Sequence, residues 1–277
     1  MLFVVSSCLG GEVLREIMRS KQPLHILISN DDGIDAPGLD ALVREVRTIA
    51  EVTVVAPDRQ QSAVGHAITM NFPLRVVRFK KGNEFFGYAV SGTPADAVKL
   101  GVGYLLKRRP DMVLSGVNHG SNTAISVIYS GTVSAATEGT ILGIPSIAIS
   151  LTTHREADFT YAAKFGARLV RTVARHGLPR GTLLNVNVPA IPEAKIRGVR
   201  VTRQGASVWD DSFEVRRDPA NREYFWLTGR LKVTDTKPDV DEVAVRQRYV
   251  SITPIRYDLT DRKMMERMGK WGVEKLR

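Results

Sequence analysis

Two adjacent carboxylates, Asp31 and Asp32, stand where a short apolar segment of the chain ends, and Ser62 and Asn118 follow two further apolar segments. Neighbouring carboxylates repel each other unless a cation lies between them. Carboxylate, amide and hydroxyl oxygens suit a hard divalent ion such as Mg²⁺, Mn²⁺ or Ca²⁺. Zinc is disfavoured, because these loops hold no cysteine and the histidines do not have ligand spacing. An Asp-Asp-Gly sequence alone is more typical of a capped turn, so the cation hypothesis depends on the three segments converging.

A second candidate site is the segment Tyr129-Ser130-Gly131-Thr132, which opens a predicted helix of small residues. The free N–H groups and the dipole of a helix N-terminus bind phosphate, and the hydroxyls of Ser130 and Thr132 could add hydrogen bonds. An ordinary Ser/Thr cap has the same sequence. The phosphate interpretation gains weight only beside a cation, since the two together would hold a phosphoryl group.

The elements that must position these residues alternate between strand and helix. A β-branched run around Ile26 predicts a strand buried on both faces, and Pro37 stands where a first-turn proline begins a helix. Later strands are predicted at Val52–Ala56, Met112–Leu114, Pro145–Leu151 and Leu183–Val188, and later helices at Pro94–Leu106, Val133–Leu142 and Phe159–His176. A hairpin is predicted from Phe72–Phe79 and Phe85–Val90. The alternation predicts an α/β fold with a mainly parallel sheet and helices on both faces.

In such a sheet, ligands bind beyond the carboxyl ends of the strands, which is where both aspartates, Ser62 and Asn118 fall. The long loops Asp58–Thr69 and His119–Tyr129 have the length of binding loops. We therefore expect residues 23–192 to form the catalytic core. Residues 193–277 are expected to be a β-rich part of the same domain, with strands in Ile196–Arg203, Tyr224–Val233 and Tyr249–Ile255 and a terminal helix from about Thr260.

The composition of the 277 residues, 43% hydrophobic and 25% charged, is that of an ordinary soluble protein. The single cysteine, Cys8, fits a reducing compartment. Residues 1–150 carry 14 Lys and Arg against 13 Asp and Glu, whereas residues 151–277 carry 25 against 16. The basic excess therefore lies away from the acidic loop. Residues 1–22 are expected to be a poorly ordered extension, and no later apolar run reaches the ~18 residues of a membrane span.

The chain also resembles a known family. ISNDDGIDAPGL, VVAPDRQQSA, SGTPADAVKLG, PDMVLSGVNHGSN, YSGTVSAATEG and YVSITPI are similar to motifs of the SurE family, metal-dependent nucleotide phosphatases. The resemblance runs in register from about Leu24 to Leu259. It implies a Rossmann-like fold, hydrolysis of nucleoside 5′- and 3′-monophosphates and sometimes short polyphosphate, and a cytoplasmic location. It also implies homodimers or homotetramers with exchanged C-terminal segments, for which Arg203–Val240 is the expected arm.

Carried over by position, the family's metal ligands fall on the four residues already named: Asp31, Asp32, Ser62 and Asn118. Its phosphate-contacting asparagine falls on Asn122 and its serine on Ser130. One departure is that the family commonly has a glycine and an acidic residue where this chain reads Ala124-Ile125-Ser126. None of the four ligands is lost by it, but the shape and charge of the loop differ.

The predicted reaction is hydrolysis of a phosphate monoester, with Asp31 and Asp32 as the catalytic pair. Asp31 would position the attacking water and Asp32 would act mainly as a ligand. Asn122, Ser130, Gly131 and Thr132 are the predicted phosphate contacts. His66 and His119 lie in the two site loops and are candidates for the acid that protonates the leaving oxygen.

Three other functions are weighed against this hypothesis. A phosphatase that forms an aspartyl-phosphate usually spaces its aspartates at i and i+2, whereas Asp31 and Asp32 are adjacent. A receiver-like metal-binding signalling domain needs a phospho-accepting aspartate after the third strand, where this chain has Ser115 and Asn118. A nucleic-acid-binding protein would suit the basic second half, but no recognition motif is present and aromatic residues are not interleaved with the basic ones. No stable nucleic-acid or membrane partner is therefore expected.

Overall fold

The computed structural model of the protein describes residues 23–153, 155 and 157–276. The predicted extension, residues 1–22, lies outside this part of the chain. Within it, no helix combines the length and the apolar character needed to cross a membrane.

A nine-stranded sheet forms the centre of the structure, in the order β3-β4-β2-β1-β5-β6-β7-β11-β8. The strands from β4 to β7 in this order pair in parallel, while β3 and β11 are antiparallel to β4 and β7. The predicted mainly parallel sheet is confirmed. Its strands are β1 His25–Ser29, β2 Glu51–Pro57, β3 Val76–Lys81, β4 Glu84–Val90, β5 Met112–His119, β6 Ser146–Leu151, β7 Thr182–Val188, β8 Gly198–Val201 and β11 Tyr249–Arg256.

Helices cover both faces of this sheet. The helices of the described residues are α1 Pro37–Arg47, α2 Pro94–Leu100, α3 Ser126–Tyr129, α4 Gly131–Ile141, α5 Thr160–His176, α6 Asp241–Arg246 and α7 Arg262–Met268, with a π-helical turn at Gly101–Leu105. Alternate residues of β1 enter different cores. Ile26 and Ile28 pack with α1 and α5, whereas Leu27 packs with α2 and α4. The central strand is therefore buried on both sides, as its β-branched run predicts.

The C-terminal residues contribute to two different sheets. Strands β8 and β11 extend the main sheet. Strands β9 Val208–Arg217 and β10 Glu223–Lys232 pair only with each other as an antiparallel ribbon. Both strands of this ribbon are exposed along nearly their whole length.

The structure differs from the prediction mainly at element ends and in the C-terminal part. Strand β5 continues through Asn118 to His119, so Asn118 lies at the end of the strand and not beyond it. The predicted loop His119–Tyr129 contains the one-turn helix α3. Strand β9 and helix α6 were not predicted, because the first lacks a buried face and the second has only six residues.

Candidate functional site

Three loops meet at the carboxyl end of β1, because β2 and β5 flank β1 in parallel. The main-chain N–H of Gln61, in the loop after β2, donates to the carbonyl of Asp31 at 2.7 Å. The N–H of His119, at the end of β5, donates to Oδ2 of Asp32 at 3.0 Å. Asn118 and Ser62 are sequence neighbours of these two donors. The structure therefore places all four predicted ligands at one edge of the sheet.

Asp31 is held in an environment that disfavours its charge. Its side chain is buried, and this burial, with a smaller contribution from the charge of Asp32, raises its pKa to about 6. The Thr132 hydroxyl donates to Oδ1 of Asp31 and opposes part of that shift. Burial also raises the pKa of Asp32. Two adjacent carboxylates withdrawn from water in this way are a favourable setting for a cation.

The N-terminus of α4 packs directly against Asp31. The Ser130 side chain caps the helix by accepting the N–H of Val133 at 3.0 Å. A Cβ placed on Gly131 would lie 2.7 Å from Cβ of Asp31, so glycine is required for this close approach. Thr132 is fully buried and its hydroxyl is engaged with Asp31, so it orients the carboxylate.

A cleft of about 1070 Å³ opens beside these groups. Its walls include four predicted site residues, Asp31, Ser62, Asn122 and Ser130, and part of the β9–β10 ribbon. Among the described residues that line it there is no lysine or arginine. The described lining therefore offers a bound phosphate no basic side chain.

The donor set fits a hard divalent cation. No group of three or more His, Cys, Asp or Glu suited to a metal ion occurs within the described residues. A cation beside Asp31 and Asp32 would therefore draw on neutral oxygens as well, which Ser62 and Asn118 can supply. The amide nitrogen of Asn118 donates to the carbonyl of Gly120 at 2.8 Å, which leaves its Oδ1 as the ligand atom.

Asn122 is fixed by residues that the sequence analysis did not identify. Its N–H donates to Oδ1 of Asn187 at 2.8 Å, and its carbonyl accepts from Nδ2 of Asn185 at 2.7 Å and of Asn187 at 3.0 Å. Its own amide donates to Ser150 Oγ at 2.8 Å. The only sequence signal for this arrangement is a pair of asparagines inside an otherwise apolar strand, β7.

The next part of the same loop is anchored by the C-terminal region. The buried carboxylate of Asp241 accepts the N–H of Ala124 at 2.9 Å, and Gln204 donates to the Ala124 carbonyl at 2.8 Å. Ala124 adopts a left-handed conformation with φ of 50°. This is within the segment where the chain departs from the family pattern, and glycine would adopt this backbone conformation at less cost.

The two candidate histidines have other contacts. Nε2 of His66 lies 3.0 Å from Oε2 of Glu138, a buried carboxylate that also binds Nζ of Lys99 at 2.5 Å. His119 contacts the carbonyl of Arg155 at 2.6 Å through Nε2. Thus His66 links the Ser62 loop to α4, and His119 contributes its main-chain N–H to Asp32.

Comparison with known proteins assigns the chain to a family. The sequence model described as "Survival protein SurE" matches residues 26–211, more than half of the chain. The chain belongs to the SurE family. A protein named 5'-nucleotidase SurE from Chlorobaculum tepidum is 48% identical over 253 residues, covering 91% of this chain and 96% of the relative. Another of that name from Syntrophus aciditrophicus is 50% identical over 238 residues, covering 86% and 90%.

The fold is also that of a SurE protein. The crystal structure of SurE protein from Aquifex aeolicus superposes with a TM-score of 0.78 at 39% identity, covering 89% of this chain and 99% of that one. The matched SurE span includes every site residue described above except Asp241. The family resemblance and the α/β architecture predicted from the sequence are both confirmed.

Proposed function

We propose that this protein is a divalent-metal-dependent phosphatase that hydrolyses nucleoside 5′- and 3′-monophosphates to nucleoside and phosphate. Relatives of 46–50% identity over most of the chain are named 5'-nucleotidases, which supports a phosphoric monoester hydrolase. The observation that carries the proposal is the contact between Asp31 and the start of α4. The Thr132 hydroxyl donates to Asp31, and Asp31 and Ser130 both line one cleft whose described lining holds no lysine or arginine, which supports a bound cation as the group that offsets phosphate charge.

The residues divide the work as follows. Asp32, Ser62 and Asn118, with Asp31, would hold a Mg²⁺, Mn²⁺ or Ca²⁺ ion. When bound, that ion would offset the charge that develops on the phosphoryl oxygens. Asn122, Ser130 and the N–H of Gly131 would hold the remaining phosphate oxygens at the start of α4.

Asp31 is the residue we assign to the attacking water. Burial raises its pKa to about 6 in the metal-free site, and a general base works best when its pKa lies near the operating pH. Thr132 keeps one oxygen of the carboxylate occupied and so fixes the direction of the other. We assign protonation of the leaving oxygen to solvent or to one of the two candidate histidines, of which His66 is tied to Glu138.

A phosphate-release assay tests this proposal directly. The substrates are nucleoside 5′- and 3′-monophosphates and short polyphosphate, each with Mg²⁺, Mn²⁺ or Ca²⁺ and with a chelator control. We expect release from nucleotides that requires a metal. Phosphate release that persists in chelator would reject metal dependence. No release from any substrate would favour a receiver-like or nucleic-acid-binding protein. Duplex binding that weakens steeply with added salt would identify the latter.

The same proposal includes a homodimer or homotetramer in the cytoplasm, joined through Arg203–Val240. The β9–β10 ribbon in this segment exposes large apolar side chains, among them Phe213 at 66% and Phe225 at 59%. Contiguous exposed apolar surface is typical of an interaction site. Light scattering should give a mass above that of one chain. A monomeric mass at the assay concentration would reject the proposed role of Arg203–Val240 in joining subunits.

A further inference from the structure

The cleft is far larger than a phosphate group requires. Its volume of about 1070 Å³ leaves room for a whole nucleoside beside the carboxylates. One wall of the cleft comes from the β9–β10 ribbon and includes Trp209, Asp211 and Leu227. This wall is not part of the predicted metal or phosphate site.

Trp209 presents an aromatic surface to this space. Its indole Nε1–H lies 3.4 Å from Oγ of Ser126, the residue that precedes the phosphate-binding turn by one short helix. The contact uses the edge of the indole, and the residue also lines the cleft. The residue is 45% exposed, which a stacked planar ligand would reduce.

On the face of the ribbon that carries Trp209, one position has no side chain because it is a glycine, Gly229. Gly229 pairs with Asp211 across the ribbon, between Leu227 and Leu231, which pair with Phe213 and Trp209. A Cβ on Gly229 would lie 2.8 Å from the carbonyl of Asp210, so no side chain fills this position. A glycine within a strand often marks a place where a ligand approaches the backbone.

The charge of this wall favours a neutral occupant. Asp211 is the ionisable side chain that the ribbon contributes to the cleft, and the lining described above holds no lysine or arginine. A chain of further phosphates would be repelled there, whereas an aromatic base carries no charge and can donate an N–H to a carboxylate.

We propose that Trp209 is the stacking surface for the nucleobase of the substrate, and that the Trp209–Asp211 and Leu227–Gly229 segments form a base subsite in the cleft. This inference rests on the proposed nucleotidase function and adds to it the part of the substrate that gives affinity. Aromatic stacking accepts any base, so we expect the subsite to favour nucleotides over other phosphate esters more than one base over another.

The test compares two substrates that differ only in the base, AMP and ribose 5-phosphate, each with Mg²⁺ or Mn²⁺. In Trp209→Ala, kcat/KM for AMP should fall by about tenfold, within the range for loss of one base–aromatic stack. The value for ribose 5-phosphate should change less than about twofold. Trp209→Phe keeps an aromatic ring and should recover most of the AMP activity. Equal losses on both substrates, or no loss on either, would overturn the proposal.

Trp226 supplies a matched control on the same ribbon. It pairs with Glu214, which places it on the face opposite Trp209, and it is 56% exposed. Trp226→Ala should leave the ratio of AMP to ribose 5-phosphate activity unchanged, with light scattering used to follow any change in mass. If this variant lowered the ratio as much as Trp209→Ala, the effect would belong to the ribbon as a whole.

A binding measurement keeps the inference separate from the proposed activity. The chain has three tryptophans, so Trp226→Phe combined with Trp271→Phe leaves Trp209 as the single indole. Adenosine should quench its fluorescence saturably, and inorganic phosphate should not. Failure of catalysis on all substrates would reject the proposed function, whereas absence of quenching in an active enzyme would reject only the base subsite.

Discussion

Asn187 hydrogen-bonds to both main-chain polar atoms of Asn122, accepting its N–H at 2.8 Å and donating to its carbonyl at 3.0 Å. The two residues are buried and 65 positions apart. This pairing fixes the peptide of the residue that we propose to contact phosphate. We therefore expect Asn187 to affect the rate of nucleotide hydrolysis although it is not one of the reacting groups.

Replacement of Asn187 by Leu should lower nucleotide turnover by about 10- to 100-fold, the order expected when a contact is displaced by about 1 Å. The free energy of unfolding should fall by about 1–3 kcal/mol, because the buried N–H of Asn122 loses its acceptor. Asn187→Asp keeps an acceptor and should be intermediate. Chemical denaturation and phosphate release check both effects.

The control for that variant is Val170→Ala, a truncation of a buried residue in α5 on one face of the main sheet. It should cost about as much stability without lowering kcat. If Val170→Ala lost activity to the same extent, the Asn187 effect would be one of stability alone.

Replacement of Asp31 by Asn should abolish metal-dependent turnover and weaken metal binding while the fold is retained. An amide can neither take a proton from water nor bind a divalent ion as a carboxylate does. Asp35→Asn is the matched control, since its side chain is 79% exposed in the same loop. Activity of Asp31→Asn near that of Asp35→Asn would contradict the role, and circular dichroism would show that both variants are folded.

Stability of the metal-free protein should depend on pH through Asp31. Its pKa rises from 3.8 to about 6 on folding, so between these values the folded state keeps a proton that the unfolded chain has released. The contribution favours folding at low pH and is lost as the pH rises through about 6. Asparagine does not titrate, so Asp31→Asn has no such loss. Between pH 4 and pH 7 the free energy of unfolding of the variant should therefore rise relative to that of the wild type by up to about 3 kcal/mol, at 1.36 kcal/mol per pKa unit.

Denaturation in chelator at several pH values measures this difference. If the difference in the free energy of unfolding between wild type and variant did not change from pH 4 to pH 7, the pKa of Asp31 would not be raised by folding. Saturating metal should reduce or reverse the gain of Asp31→Asn at pH 7, because the ion stabilises only a protein that binds it.

Ala124→Gly should stabilise the protein by up to about 1 kcal/mol. The left-handed backbone at φ of 50° costs an L-residue about 1–2 kcal/mol, and glycine avoids this while losing part of the gain to chain entropy. Ala163→Gly, in the interior of α5, should instead lower the free energy of unfolding by about 1 kcal/mol, because glycine is unfavourable within a helix. A loss of stability in Ala124→Gly, measured by denaturation, would show that packing of the buried Ala124 methyl outweighs the cost of the left-handed backbone.

The sequence predicts the main sheet well because its central strands are mostly apolar and rich in β-branched residues. Strands β2, β6 and β7 begin and end within one residue of their predicted positions. Strand β9 could not be found in this way, because charged and hydroxyl residues interrupt its few apolar ones and leave no apolar run like that of β10. The helix pattern likewise misses α6, whose six residues are shorter than two full turns.

The loops of the candidate site follow from strand order, so their convergence could be anticipated from the sequence. Their supports could not, because Asn185, Asn187 and Asp241 act across separations of 63 to 117 residues. Such contacts leave no local pattern other than a polar residue at a buried position. The pairing of His66 with Glu138 has the same origin, 72 residues apart in the chain.

The anchoring of Ala124 by Asp241, 117 residues later in the chain, is a contact that can form only after the C-terminal part has been synthesised. The carboxylate pair and the helix beside it can be in place once β6 has joined the sheet. The loop that holds Asn122 lacks its hydrogen-bond partners until β7, which carries Asn187, and then α6, which carries Asp241, have been synthesised. Under the proposed function, a nascent or C-terminally cut chain would therefore have the proposed groups for an ion before it had the fixed loop proposed to contact phosphate.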